Sequence, residues 1–267
     1  MAKNTVSVVC LNCFGIPIPV HKKIRFKLIA EELDKISPDI IALQEVFVWT
    51  NRNILIDKLK DQYYIYPEKF LPFSSGGLIT FIKNGIKVNK FKFSRFKDQG
   101  NKTLISIPDG IAGKGYQTFE LLINKKIINF INCHLLCQYN RTAILESSYM
   151  KQIDELISTK STLCRSIILS GDLNDHPESK AMSKLKTSIG LSENLMADEF
   201  TIDLDNLNRG KIMNIFSNGK PYRTDYTFVS NDLEIKSQSI VFKNPIEFNS
   251  KKYHLSDHYG VYTEINI

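Results

Sequence analysis

No apolar run in this chain approaches the roughly 20 residues that a membrane-spanning helix needs. Cysteine is scarce, five residues in 267. An odd, scattered set in a chain of this length excludes a disulfide scaffold and fits a reducing compartment. Internal repeats, low-complexity tracts and linker-like stretches are also missing, so a single domain over residues 1–267 is expected. Lys3 leads directly into VSVVCLN, without an apolar signal core or a small-residue cleavage site. The expectation is a soluble protein, cytoplasmic or peripheral at a membrane, with export by a route lacking such a signal left open. Cys10-x-x-Cys13 and Cys133-x-x-x-Cys137 invite a zinc reading. Cys10 falls in a strand, however, where an offset of three puts the two thiols on opposite faces.

What is present is ordinary in bulk, with 43% apolar and 24% charged residues. The formal charge of +7 and the pI near 9.0 fit an anionic partner, either nucleic acid or a membrane surface. Val6 to Asn12 reads as a β-branched strand, followed by a proline-broken apolar loop over residues 14–20. Apolar Ile24, Leu28, Ile29, Leu33 and Ile36 recur at helical spacing from Lys22 to Ile36. Ile40 to Leu43 is a short buried strand ending at Gln44-Glu45. A helix is expected over Asn53 to Leu59 and a strand over Tyr63 to Tyr66. Leu78 to Ile82, Ile86 to Phe96 and Leu104 to Ile107 read as further strands. Tyr116 to Ile123 and Ile127 to His134 form a hairpin, and Arg141 to Ser158 is helical. After a strand beginning at Ile167, a helix spans Glu178 to Leu185. The last strands are Tyr226 to Val229, Leu233 to Phe242 and Tyr259 to Ile265. This order predicts one α/β domain, sheet on sheet with helices outside.

The stretch Ile167 to Pro177, IILSGDLNDHP, carries the chemistry. Residues two apart in an extended chain share a face, so Asp172 and Asn174 are expected side by side, with Gly171 letting the backbone turn. The same pattern, an apolar strand closing on a polar residue, recurs at Asn12, Glu45, His134 and Asp257-His258, and Asp225 opens a strand. Any one of these is ordinary turn chemistry; the set is not.

In order, LNCFGIP, ALQEV, NCHL, SGDLN, TDY and LSDH resemble the motifs of the DNase I-like endonuclease/exonuclease/phosphatase superfamily, over about Val6 to Val261. The resemblance implies a four-layer α/β sandwich of two packed mixed sheets flanked by helices, with the site where strand ends converge. Asn12-Cys-Phe-Gly-Ile-Pro17 and Cys133-His-Leu-Leu-Cys-Gln-Tyr-Asn140 are similar to segments of the neutral, Mg²⁺-dependent sphingomyelinases, as are the surroundings of Glu45, Gly76-Gly77 and Gly113-Lys-Gly-Tyr116. The signature segments of inositol polyphosphate 5-phosphatases are absent. So is the extra acidic residue that DNase I-like enzymes carry, sought here in Leu78 to Lys83.

By that resemblance the catalytic set is His134, Asp172, Asn174, Asp225, Asp257 and His258. Asn12, Glu45 and Asp257 are metal ligands for Mg²⁺, with Mn²⁺ or Co²⁺ as substitutes. Asn12, Asn174 and Tyr139 bind substrate. His258 is expected as general base with Asp172 orienting the water, His134 as general acid held by Asp225, and Asn174 as donor to the phosphoryl oxygen. The implied activity is cleavage of sphingomyelin, or a related phospholipid at a membrane surface, to ceramide and phosphocholine by a monomer. A nuclease or DNA-repair phosphodiesterase acting on nucleic acid is the alternative of the same fold. An inactive lipid- or protein-binding module is the alternative of another class. Apolar residues after Asn12 (Phe14, Ile16, Ile18, Val20), after Glu45 (Phe47, Val48, Trp49) and at Phe70, Leu71 and Phe73 are candidates for a lipid-facing rim. The long aromatic hairpin of secreted bacterial sphingomyelinases has no counterpart in the sequence reading.

Overall fold

The computed structural model describes residues 4–16, 21–67, 76–100, 112–137, 142–163, 166–208 and 220–267. The segments expected as a strand at Leu104 to Ile107, and as rim positions at Ile18, Val20, Phe70, Leu71 and Phe73, lie outside these residues, as does Tyr139.

Period-two alternation along the central strands sets the architecture. In β1 (Thr5–Asn12), Val6 and Val8 face one way and Val9 and Leu11 the other, and both sets are buried. A strand buried on both faces belongs in the middle of a layered structure. The six-stranded first sheet runs β11 (Glu234–Val241), β14 (Gly260–Asn266), β1, β2 (Ile40–Gln44), β4 (Ile79–Lys83) and β3 (Tyr63–Tyr66). The six-stranded second sheet runs β5 (Lys87–Arg95), β6 (Gly115–Ile123), β7 (Lys126–His134), β8 (Ile167–Asp172), β10 (Asp225–Ser230) and β9 (Leu191–Ser192). Both are mixed, with β1–β2 and β7–β8 the parallel pairs.

Val6, Val8, Ile40, Ala42 and Ile82 of the first sheet meet Phe119, Leu121, Phe130, Ile168 and Val229 of the second in a shared core. The outer face of the first sheet is covered by α1 (Lys22–Ile36) and α2 (Trp49–Leu59) through Phe26, Ile29, Leu33 and Leu55. The outer face of the second is covered by α3 (Ala143–Thr159) and α4 (Lys180–Ile189) through Tyr149, Ile153, Met182 and Leu185. The result is the four-layer α/β sandwich that the motifs imply. Cys10 packs between the sheets and Cys13 against the helices, so the two thiols do diverge.

Three local departures from the sequence reading have simple causes. The second helix begins at Trp49 rather than Asn53 because Val48, in extended conformation, already offers its carbonyl to Asn51 and Arg52. The helix after Pro177 starts at Lys180, where the Ser179 hydroxyl accepts from Met182 N, and runs on to Gly190 at φ 79°. A short hairpin, β12 (Ile246–Phe248) with β13 (Lys251–Tyr253), was not expected. Its two turn residues, Asn249 and Ser250, both take positive φ, the requirement of a tight hairpin turn.

Gly171 is the glycine whose role is structural and local. With φ at 156°, a Cβ there would stand 2.0 Å from the Cys133 carbonyl oxygen on β7. Gly171→Ala is therefore expected to lower stability by about 1–3 kcal/mol, the scale of core overpacking, by prising β7 from β8. Urea unfolding checks this, and an unchanged midpoint would show that the two strands do not depend on the close approach.

Candidate active site

The inward-facing positions of the central strands turn polar at one end of the sandwich. One polar rung lies above the apolar core. Asn132 of β7 accepts from Gln44 Nε2 at 2.8 Å and donates to Thr80 Oγ1 at 2.9 Å. Thr80 Oγ1 donates to Gln117 at 2.6 Å, and Ser170 and Thr227 join hydroxyls at 2.9 Å. Buried polar groups that satisfy one another in this way fix a register that apolar packing leaves looser.

The rung above it holds the candidate residues. Asn12 shares its face with Val6 and Val8, His134 with Phe130, Asp172 with Ile168, and Asp225 with Val229. Register aligns them, since His134 pairs with Asp172 across β7–β8 and Asp225 with Asp172 across β8–β10. Glu45 follows β2 in left-handed conformation, φ 58°, and Asp257-His258 precede β14 with only Tyr259 between.

One amide links the two sheets at this point. Asn12 Nδ2 donates to Glu45 Oε1 at 3.1 Å and to Asp172 Oδ2 at 2.9 Å. Its Oδ1 accepts from Phe14 N at 3.0 Å, which fixes which end of the amide faces the carboxylates. In this arrangement the Asn12 amide orients Glu45 and Asp172.

The histidine pairing departs from expectation. Asp225 Oδ2 is 2.8 Å from His258 Nδ1, so Asp225 holds His258, not His134. The hydroxyls of Thr201 and Thr224 donate to the same oxygen at 2.6 and 3.0 Å. His134 Nε2 instead stands 3.4 Å from Asp172 Oδ2. Asn174 does not continue the strand beside Asp172 either. It lies past the strand end at φ 54°, with its backbone N on Asp172 Oδ1 at 3.0 Å and its side-chain amide on Leu135 O at 2.9 Å. One N–H of that amide remains to be offered.

Burial and charge divide the titrating groups. Burial, then the neighbouring Asp257, raises Glu45 to about 7. Burial and Asp225 raise Asp172 to about 6. Burial pushes His258 down, but the Asp225 and Asp257 carboxylates outweigh it and carry the ring to about 10. Burial, with the charges of Lys114 and His258, holds His134 well below its ordinary value. At neutral pH the site thus contains one imidazolium, His258, and one neutral imidazole, His134.

A divalent cation suits this set. Glu45 Oε2 is buried without a hydrogen-bond partner among the described residues, and its carboxylate is destabilised by Asp257. Two crowded carboxylates with an uncommitted oxygen are what a hard cation relieves. Asp172, Asp225 and His258 also offer ligand atoms lying within 4.8 Å of one another, but the Asp225 and His258 atoms are already engaged with each other.

Sequence reasoning missed three buried polar contributors. Lys114, 4% exposed, donates to Leu135 O at 2.9 Å; the glycines on both sides of it were the available signal. Arg25 is a charge on the apolar stripe of α1. Thr201 lies between the expected helix ending at Leu185 and the expected strand from Tyr226, and nothing in the sequence marks it.

The comparisons with known proteins agree with the geometry. The Endonuclease/Exonuclease/phosphatase family pattern matches residues 10–258, and the chain belongs to that family. Human sphingomyelin phosphodiesterase 2 is 26% identical over 188 residues, 68% of this chain and 44% of that protein, so the match spans less than half of the relative's length. Beta toxin of Staphylococcus aureus superposes with a TM-score of 0.76 at 18% identity, covering 97% of this chain and 99% of the toxin. A variant of that toxin carries bound magnesium ions. D. rerio TDP2, in complex with a single-strand DNA product, superposes with a TM-score of 0.74 at 14% identity, covering 99% and 100%.

A cation held by Glu45 would compete with a proton there, so Mn²⁺ affinity is expected to fall about tenfold per pH unit below pH 7 and to level off above it. Glu45→Gln should abolish that slope, read by direct Mn²⁺ binding. Asp225→Asn should bring the His258 titration down from about 10, read from its imidazole resonances; an unmoved titration would contradict the pairing.

Proposed function

We propose that this protein is a divalent-metal-dependent phosphodiesterase whose substrate is sphingomyelin or a related phospholipid at a membrane surface. The observation that carries the lipid reading is an apolar rim. Trp49 is 57% exposed, four residues beyond Glu45. Leu207 is 62% exposed, and its backbone N donates to His254 Nδ1 beside the Ser256–His258 segment. Met196 is 68% exposed, and its carbonyl is held by Arg223, two residues before Asp225. Exposed apolar side chains on segments that adjoin site residues in sequence or by hydrogen bonds suit partial insertion into a lipid interface. The relatedness to human sphingomyelin phosphodiesterase 2 supports the same reading. The charge of +7 and the likeness to TDP2 support nucleic acid as the second reading.

Glu45 and Asp257 are the residues that would hold Mg²⁺, with Mn²⁺ or Co²⁺ as substitutes. Bound there, the ion supplies charge neutralisation for a phosphoryl oxygen. The chain's own residues divide the proton work. Asp172, kept in place by Asn12 and His134, is unprotonated above about pH 6 and accepts the proton of the attacking water. His258, charged and gripped through Nδ1 by Asp225, presents Nε2 to the scissile group. As the bond from phosphorus to the ceramide oxygen breaks, that nitrogen gives its proton to the leaving oxygen. Asn174 has an amide N–H to offer the phosphoryl oxygens. Relative to the sequence expectation, the base and acid roles move from His258 and His134 to Asp172 and His258. The reason is that the Asp225 carboxylate at 2.8 Å favours the charged form of His258, while burial favours the neutral form of His134.

Phosphocholine release from sphingomyelin in mixed micelles, with Mg²⁺ and with EDTA, tests this beside nicking of supercoiled DNA. Metal-dependent release without nicking is expected; nicking alone would transfer the function to nucleic acid. Turnover should rise as pH passes about 6 and fall again as the pH climbs through the His258 titration, at a pH below 10 because a bound ion would offset the charge of Asp257. Asp172→Asn should lower kcat roughly 10²–10⁴-fold, the usual worth of a positioned acid or base. Trp49→Ala should weaken turnover on vesicles about tenfold, some 1.4 kcal/mol of interfacial binding, and leave a soluble phosphodiester unaffected.

A further inference from the structure

Arg25 takes no part in the roles assigned above, yet it is fully buried. A guanidinium ion removed from water needs a carboxylate fork or enough oxygen acceptors to replace its hydration. Arg25 takes the second course at its Nη groups, while its Nε has no acceptor among the described residues. Nη1 donates to Cys13 O at 3.1 Å and to Leu255 O at 2.7 Å, and Nη2 donates to Phe14 O at 2.8 Å. Cys13 and Phe14 directly follow Asn12, and Leu255 directly precedes Ser256-Asp257-His258. One side chain on α1 therefore clamps the exit of β1 to the entrance of β14.

The clamped turn is also tight against Glu45. A Cβ at Gly15 would stand 2.1 Å from the Glu45 carbonyl oxygen. A second tie reinforces the junction, with Ser256 Oγ donating to Asn12 O at 2.5 Å. The charge of Arg25 is balanced through space by Asp257 and Glu45 rather than by a hydrogen-bonded carboxylate among the described residues.

We propose that Arg25 is a positioning residue for the phosphodiester site, its guanidinium fork setting the gap between the Asn12–Glu45 side and the Asp257–His258 side. The inference rests on the phosphodiesterase reading but on no particular substrate. A lysine at this position keeps the charge and loses the fork; a glutamine loses the charge as well. A plain helix anchor would cost stability and nothing else.

The test compares the full-length native protein with Arg25→Lys, Arg25→Gln and Leu33→Ala, a cavity variant on the buried face of the same helix. With bis(4-nitrophenyl) phosphate, kcat of Arg25→Lys should fall about 10²-fold at nearly constant KM, the scale of an ångström-level misplacement. Leu33→Ala should retain its kcat despite a lower melting temperature. Direct Mn²⁺ binding should weaken about tenfold in Arg25→Lys, where the charge is kept but the spacing of Glu45 and Asp257 is not, and stay native in Leu33→Ala; Arg25→Gln should bind at least about threefold more tightly than Arg25→Lys, because the positive charge beside Glu45 and Asp257 is gone. Native turnover in Arg25→Lys, or an equal loss in Leu33→Ala, would overturn the proposal.

Native protein labelled with ¹⁵N-arginine gives a reading that needs no variant to fold. Arg25 should show slowly exchanging, unaveraged Nη signals that shift when Mg²⁺ is added. Freely rotating Nη groups or an absent shift would overturn the proposal. If the native protein turns over no phosphodiester, the Mn²⁺ and resonance measurements still decide the role of Arg25, and only the phosphodiesterase reading fails.

Discussion

The side-chain amide of Asn12 is the constraint on which the site depends. It comes from the first sheet, and it donates at once to Glu45 beside its own sheet and to Asp172 on the other. Two buried carboxylates, each held above its ordinary range by burial, are thereby set face to face across the seam of the sandwich. Neither sheet alone contains a working set: Glu45, Asn12 and Asp257-His258 lie on or beside the first, and His134, Asp172 and Asp225 end strands of the second. Chemistry at the seam requires the sheets to meet in one register, and the polar rung below supplies it through Gln44, Asn132, Thr80 and Gln117.

Much of this was legible in the sequence because strand alternation is a local property. Val6 to Asn12 and Ile127 to His134 announce which side chains share a face, and the apolar members of each run determine which face is inside. Alternation places Asn12, His134 and Asp172 on inward faces at strand ends; that these ends and Asp225 converge was implied by the superfamily resemblance, not by alternation. What alternation does not encode is what happens past the strand end. Asn174 and Glu45 both take left-handed backbone conformations, and simple face counting no longer applies to them.

Partner choice was equally illegible. That Asp225 grips His258 rather than His134 follows from β10 standing next to β8 and from the bridge joining Ile202 to His258, both long-range facts. The consequence is chemical. The two acids, Asp225 and Asp257, favour the charged form of His258 against its burial, while burial, with the charges of Lys114 and His258, favours the neutral form of His134. Arg25 and Thr201 were missed for the same reason, since a helix pattern or a polar stretch does not reveal which distant carbonyl or carboxylate it will meet.

The pairing of β1 with β14 has a further consequence. Thr5 lies opposite Asn266, and Ile267 N donates to Asn4 O at 2.9 Å. The two ends of the described chain thus leave side by side from the pole of the sandwich remote from Asp172 and His258. Any tether, anchor or additional module joined at either end would depart from that pole. The opposite pole, where Asp172 and His258 lie, would be left unobstructed by it, as a hand tool is held by the end away from its edge.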